Sequence, residues 1–247
     1  MCENNELKIC MIMFFDENIK EYSEICCKIN EFYCHKHNID FFFSDKKNID
    51  YDIISETNIS SSYWERYPLI LEYIKDYDYV IYIDTDAFFY INSKNIIDEI
   101  LKNKNHNNID FIFSQDYVPL DLNTGFFIVK KTEYNIKYLK EVLKKDVNDK
   151  YFTICKNSNI SYTYDQSTMS GLYRDNFMNI QDRSLKLDYG FLQYFFTEKN
   201  IQYYDKNEWV YPPQPFVCHL AGTSKQTKLN IISNYYNKII NNEIYNA

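Results

Sequence analysis

Glycine and proline are scarce in this chain of 247 residues, at 4 and 5 copies, so the few glycines mark places where the backbone needs unusual freedom. No linker, internal repeat or long low-complexity tract interrupts the sequence. Basic runs are missing too. None exceeds a residue pair, and the formal net charge is -8. Nucleic-acid affinity depends on neutralising phosphates and calls for a basic face, so no nucleic-acid partner is expected. A nucleotide ligand stays open, because one bound divalent cation reverses the local field.

The 7 cysteines (Cys2, Cys10, Cys26, Cys27, Cys34, Cys155, Cys218) contain no CxxC pair and are odd in number. In a chain of this size that argues against a disulfide framework and for reduced, mostly buried thiols. A zinc site can be drawn from Cys26 through Cys34 with His35 and His37, but the stretch is helix-like and lacks paired ligand spacing. Long apolar runs are absent as well. Leu7 to Phe15 is only about nine residues and meets Asp16 and Glu17 at once, which suits a buried first strand better than a signal peptide or membrane span. The expectation is a soluble chain without a membrane span, in a cytoplasmic or host-cytoplasmic/viral setting rather than a secreted one.

What is present is enough apolar sequence, 45% of positions, for one sizeable α/β core. The excess of Asn, Lys, Ile and Tyr fits AT-rich coding. Aromatic stretches such as Tyr189 to Tyr204 with Tyr211 are therefore read as packing before they are read as sugar-stacking surfaces. Strands are expected over residues 7–15, 39–43, 79–83, 110–114, 125–129 and 216–220. Helices are expected over 18–33, 62–75, 94–102, 131–144, 165–173 and 228–244, with a break at Pro212-Pro213-Gln214-Pro215. Beyond Asn148 the pattern loosens. Alternation of strand and helix predicts an α/β fold with a mostly parallel central sheet flanked by helices.

The run Tyr79 to Ile83 is apolar, β-branched and aromatic, as in a strand buried on both faces, and it stops abruptly at Asp84. Ligands of parallel α/β sheets gather at the carboxyl ends of strands. Asp84 and Asp86, separated by Thr85 on a turn leaving such a strand, can converge on one Mg²⁺ or Mn²⁺. An Asp-rich turn that merely ends the strand is the plain alternative. Phosphatases of the haloacid-dehalogenase type share the strand-DxD signal, but they place it on the first strand and need a later GDxxxD, which does not occur here. A second cluster lies in Phe216 to Lys225. There His219 is either a core histidine or a metal ligand, Gly222 permits a tight turn, and Lys225 can swing back to neutralise diphosphate oxygens.

The elements Trp64-Glu65-Arg66-Tyr67-Pro68-Leu69-Ile70-Leu71, the strand ending in Asp84-Thr85-Asp86-Ala87-Phe88-Phe89, Asn123-Thr124-Gly125-Phe126-Phe127, Asp165-Gln166-Ser167 and HxxGxxK occur in that order. Together, over about residues 60 to 228, they resemble retaining glycosyltransferases of the GT-A (nucleotide-diphospho-sugar transferase) fold, Rossmann-like in its sheet. The likeness is nearest to yeast-type α-galactosyl- and mannosyltransferases and plant xyloglucan xylosyltransferases, with glycogenin-like enzymes next.

The resemblance implies that Asp84, Asp86 and His219 hold Mn²⁺ or Mg²⁺. It also implies that Lys225, Gly222, Thr85 and Arg66 serve the nucleotide-sugar donor, a UDP-sugar first. Asn123, Thr124 and Gly125, with Asp116 as a weaker candidate, would line the sugar pocket. Asp165 and Gln166 would act at the anomeric centre. A nucleotide-binding part of about residues 1–115 would precede a donor-sugar and acceptor part of about 116–247, and a glycan or glycoprotein would accept the sugar. Two departures stand out: no Pro-Trp follows Lys225, and Tyr164-Asp165-Gln166 stands where xylosyltransferases carry DDQ. Without an assured nucleophile, a front-face reaction fits better than double displacement. A catalytically silent sugar-nucleotide or glycan-binding relative is the alternative, and a metal-dependent phosphohydrolase a further one.

Overall fold

The apolar runs form strands because they can bury both faces at once. A computed structural model of the chain describes residues 7–55, 61–101, 109–116, 122–188, 191, 193–195 and 216–241. The first strand, β1 (Ile9–Phe14), sends Ile9, Met11 and Met13 to one side of a sheet and Cys10, Ile12 and Phe14 to the other, all buried. Helix α1 (Lys20–Lys36) follows, then β2 (Asp40–Ser44), α2 (Arg66–Tyr73) and β3 (Tyr79–Ile83). After β3 come a short strand β4 (Ala87–Phe89), β5 (Phe111–Ser114), β6 (Asn123–Lys130), α3 (Glu133–Val142), α4 (Lys145–Asn157) and α5 (Tyr164–Arg174). The last elements among the described residues are β7 (Ser184–Leu187), β8 (Gln193–Phe195), β9 (Val217–His219) and α6 (Lys225–Ile240).

The central sheet has the order β2-β1-β3-β6-β5-β7. Strands β1, β2 and β3 run together, β6 runs against both β3 and β5, and β7 runs with β5. Only β6 is reversed, so the sheet is mostly parallel, as the alternation of elements predicts. Helices cover both faces: α1 and α6 pack with the Met11 face, and α2, α3 and α5 with the Cys10 face. Because β6 is reversed, its first residues lie beside the carboxyl end of β3. Ile83 stands opposite Phe126, and the Asp84 amide donates to the Gly125 carbonyl at 2.7 Å.

A second, three-stranded sheet in the order β4-β9-β8 sits next to that end. Its antiparallel pair sets Ala87 opposite His219, and the Leu220 amide donates to the Asp86 carbonyl at 2.9 Å. Helix α1 fixes β4 from behind. Asn30 is fully buried, donates to the Ala87 carbonyl at 3.0 Å and accepts the Phe89 amide at 2.9 Å. The Cys26 thiol donates to the same Ala87 carbonyl at 3.0 Å. The six described cysteines are all buried and unpaired. Among the described residues no helix is long and apolar enough to cross a membrane.

Several expectations shift at the edges. Helix 62–75 resolves into a 3-10 turn, Ser61–Trp64, followed by α2, whose N-cap Glu65 makes no side-chain capping bond. The Glu65 carboxylate instead accepts the Asn48 and Ile49 amides at 2.8 and 2.9 Å and ties down the segment after β2. The helix expected over 94–102 is a π-type turn, Ile97–Leu101, within the described residues. Helix α4 is not among the expected elements. It is lysine- and asparagine-rich, and only Asn148, Tyr151 and Cys155 are buried along it. Helix α6 begins three residues earlier than its periodicity suggests, because the Ser224 hydroxyl accepts the Thr227 amide at 3.1 Å. The Pro212–Pro215 break, Cys2, and Tyr189, Tyr203, Tyr204 and Tyr211 of the aromatic stretch lie outside the described residues.

Replacing Asn30 with Ala strands the buried Phe89 amide and leaves the Ala87 carbonyl without its amide donor, with the weaker Cys26 thiol still on it. The expected loss is about 2–3 kcal/mol of unfolding free energy. In urea this should appear as a lower midpoint with an unchanged slope.

Candidate functional site

Three elements meet at the carboxyl end of β3. The turn after β3, closed by the Ala87 amide on the Asp84 carbonyl at 3.0 Å, carries Asp84 and Asp86. Strand β9 contributes His219, whose Nε2 lies 3.3 Å from Asp86 Oδ1 and 3.9 Å from Asp84 Oδ2. One ligand atom from each of the three falls within 4.8 Å of the others, and they are the one such group of metal-ligating side chains among the described residues. The start of β6 forms the floor. A Cβ added at Gly125 would overlap His219 Cε1, stand 2.8 Å from Asp84 Oδ2 and 3.0 Å from His219 Nε2. Glycine is required here by close approach and not by an unusual φ.

The chemistry of this donor set fits a cation of the Mn²⁺ or Mg²⁺ class. Two carboxylate oxygens suit either ion, and the imidazole nitrogen tilts the set towards Mn²⁺. The cradle above Gly125 is open only because no side chain fills it.

Behind the aspartates stands a buried basic residue. Arg66, 7% exposed, opens α2 and reaches three elements. Its Nη2 lies 3.1 Å from Asp84 Oδ1, its Nε 3.4 Å from Asp165 Oδ2, and its Nη1 donates to the Thr124 carbonyl. The guanidinium also lies 4.7 Å from the centre of the Tyr82 ring. Burial works against its charge, but Asp165 and Asp84 more than offset this and hold it protonated. Two tyrosines complete the shell: Tyr82 donates to Asp84 Oδ1 at 3.0 Å and Tyr67 to Asp165 Oδ2 at 2.9 Å. None of these was legible as a partner in the sequence.

Asp165 is buried near the start of α5, and burial pushes its carboxyl upward even though Arg66 and Tyr67 pull the other way. Gln166 beside it is held at both ends of its amide. Its Nε2 donates to Asp116 Oδ2 at 2.7 Å and its Oε1 accepts the Thr124 amide at 3.3 Å. Asn123 accepts the Gly125 amide at 2.9 Å through Oδ1. The sequence-expected residues Arg66, Asp84, Asp86, Asp116, Asn123, Thr124, Gly125, Asp165, Gln166 and His219 are thus linked by contacts. Thr85 is buried between the two aspartates.

The lysine is the surprise. Lys225 is more than half exposed and lies 3.4 Å from Glu21 on α1. Lys228, one helical turn later, sits on Asp86 Oδ2 at 2.8 Å with its side chain 16% exposed. Gly222, at φ +74°, makes the turn that starts α6 above the aspartates. Burial alone pushes the Asp86 carboxyl up, but His219 and Lys228 reverse this and hold it well below the usual carboxylate range. Tyr22 of α1 is driven the other way, by burial first and then by Asp86 and Asp84.

A family model described as nucleotide-diphospho-sugar transferase matches residues 21–231, most of the chain. The chain belongs to that family. The nucleotide-diphospho-sugar transferases are glycosyltransferases, so this protein is an enzyme of that class, with the GT-A fold. It is similar in structure to a glycosyltransferase involved in the glycosylation of the major capsid of PBCV-1, with a TM-score of 0.64 and 17% identity, covering 91% of this chain and 99% of that one. It is also similar to the galactosyltransferase LgtC, with a TM-score of 0.53 and 14% identity over 93% of this chain and 96% of that one. At these identities the likeness is one of fold. No curated protein matches the transferase in sequence.

Gly125→Ala should push His219 out of the cradle, with a loss of about 1–3 kcal/mol in unfolding free energy. A double-mutant cycle with His219→Ala checks the cause: without the imidazole, at least about 1 kcal/mol of that cost should vanish.

Proposed function

We propose that this transferase moves a sugar from a nucleoside-diphosphate donor, a UDP-sugar first, to a hydroxyl of a glycan or glycoprotein. The transfer proceeds with retention of anomeric configuration and depends on Mn²⁺ or Mg²⁺. The observation that carries this reading is the convergence of Asp84, Asp86 and His219 above the bare Cα of Gly125. Those three residues would hold the ion. When bound, it supplies Lewis-acid stabilisation of the charge that grows on the leaving diphosphate.

The chain's own groups take the remaining tasks. Lys225, exposed on the first turn of α6, can leave Glu21 and reach diphosphate oxygens, while the Gly222 turn and Thr85 shape the backbone around them. Arg66 fixes both Asp84 and Asp165 in direction. Asn123, Thr124 and Asp116 offer polar groups to the donor sugar beside Gly125. Gln166, with its amide fixed between Asp116 and Thr124, would present a preset dipole to the oxocarbenium-like centre. Asp165 is engaged by Arg66 and Tyr67, which suits a group that orients the donor more than a free nucleophile. That supports a front-face reaction, in which the departing phosphate takes the acceptor's proton. Residues up to about 115 would then serve mainly the nucleotide, and those after it the donor sugar and acceptor.

A cytoplasmic setting, in a cell or in a virus's host, belongs to the same reading. Buried unpaired cysteines fit a reducing compartment, and one of the similar structures serves a viral capsid.

The test is a panel of UDP- and GDP-sugars incubated with the protein, with and without Mn²⁺, scoring sugar release. At least one donor should be hydrolysed slowly and only with metal, and Asp86→Ala should lower that rate by about a hundredfold or more. Undiminished release by Asp86→Ala would sink the metal reading. Binding without turnover would mark a silent relative, and phosphate release from simple monoesters a phosphohydrolase.

A further inference from the structure

The two aspartates divide their oxygens in the same way. Asp84 turns Oδ2 towards His219 Nε2 and gives Oδ1 to Arg66 and Tyr82. Asp86 turns Oδ1 towards the same nitrogen and gives Oδ2 to Lys228. Each prospective ligand therefore carries a resident cation on its far oxygen. Lys228 is not a loose surface lysine. Only 16% of its side chain is exposed, and its ammonium lies 5.7 Å from the centre of the buried Tyr22 ring.

A single chain of contacts runs Lys228, Asp86, His219, Asp84, Arg66, Asp165. With the imidazole neutral, as a metal ligand must be, three carboxylates meet two cations there. One negative charge is left over. A divalent cation brings two positive charges, so its entry alone reverses the sign of a largely buried site, where uncompensated charge is costly. A diphosphate supplies the missing negative charge.

We propose that Lys228, together with Arg66, pre-neutralises the metal ligands so that a divalent cation and a diphosphate are held tightly only as a pair. This rests on the metal reading of Asp84, Asp86 and His219. Lys228 is a positioning and charge-balancing residue, distinct from a metal ligand and from Lys225. Because coupling between two ligands is reciprocal, the ion strengthens diphosphate binding by the same factor. An idle site then does not accumulate free cations, and departure of the nucleoside diphosphate would loosen the ion.

Mn²⁺ binding to the whole chain, followed by the electron paramagnetic resonance of the free ion, tests this without any turnover. Titrations are run alone and with saturating UDP or GDP, after subtracting the complex that each forms with Mn²⁺ in solution. The wild-type protein should bind Mn²⁺ at least about tenfold more tightly with one of these diphosphates than without. Lys228→Met should bind Mn²⁺ alone about tenfold more tightly than wild type, since one nearby positive charge is gone, and should lose most of the coupling. Lys228→Arg should keep both wild-type values. A purely structural role makes the opposite prediction: Lys228→Met would bind Mn²⁺ more weakly, with the coupling intact, and that result would overturn the proposal while leaving the metal site standing. Equal Mn²⁺ affinity with and without diphosphate in the wild type would also overturn it, whatever the variants do. No Mn²⁺ binding under any condition would remove the metal reading itself.

Discussion

A guanidinium buried between two carboxylates ties the site to the fold. Arg66 begins α2, touches the aspartate that follows β3, donates to the Thr124 carbonyl in β6 and faces the acid on α5. A buried charge in such a place is tolerable only when every partner is present, and removing one partner of a buried pair strongly destabilises what remains. The geometry of Asp84 and of Asp165 is therefore not set by two independent loops. It is set by one side chain that neither loop supplies. Beside it the Tyr82 ring offers its face, and the hydroxyl of the same residue donates to the Asp84 oxygen that Arg66 also touches.

Around that link the backbone does the rest. A uniformly parallel sheet would bring only carboxyl ends of strands to this edge. Reversing β6 brings an amino end instead, and with it Asn123, Thr124 and a glycine whose missing side chain leaves space under His219. The small sheet then sets His219 opposite Ala87, so the imidazole height above the turn is fixed by strand register and not by a flexible loop.

Much of this was legible in the sequence, for identifiable reasons. The buried strand ending in Asp84 announces itself through an unbroken apolar run, and His219 and Gly125 stand in short apolar segments whose place in the order of motifs is informative. The choice between two lysines was not legible. Lys225 and Lys228 are three residues apart on one helix, and which of them points at Asp86 depends on how α6 is rotated against α1, where Glu21 takes the first. The burial of Arg66 was hidden for a similar reason, since its partners lie about 20 and 100 residues away, and local pattern carries no record of such pairing. Helix α4 escaped because its buried face is narrow and partly polar: Asn148 is held by the Val142 and Lys144 carbonyls and accepts from Trp64.

The pairing of β4 with β9 has a consequence for how the protein is made. The two aspartates leave the ribosome more than a hundred residues before the histidine that faces them. Until β9 emerges and docks, the nascent chain holds a half-built cradle: Asn30 and Cys26 can already grip β4, but its other edge stays open. An exposed edge of three apolar residues is short, which limits the risk of mispairing during that wait. The three ligands can therefore meet only once β9 has been laid down against β4.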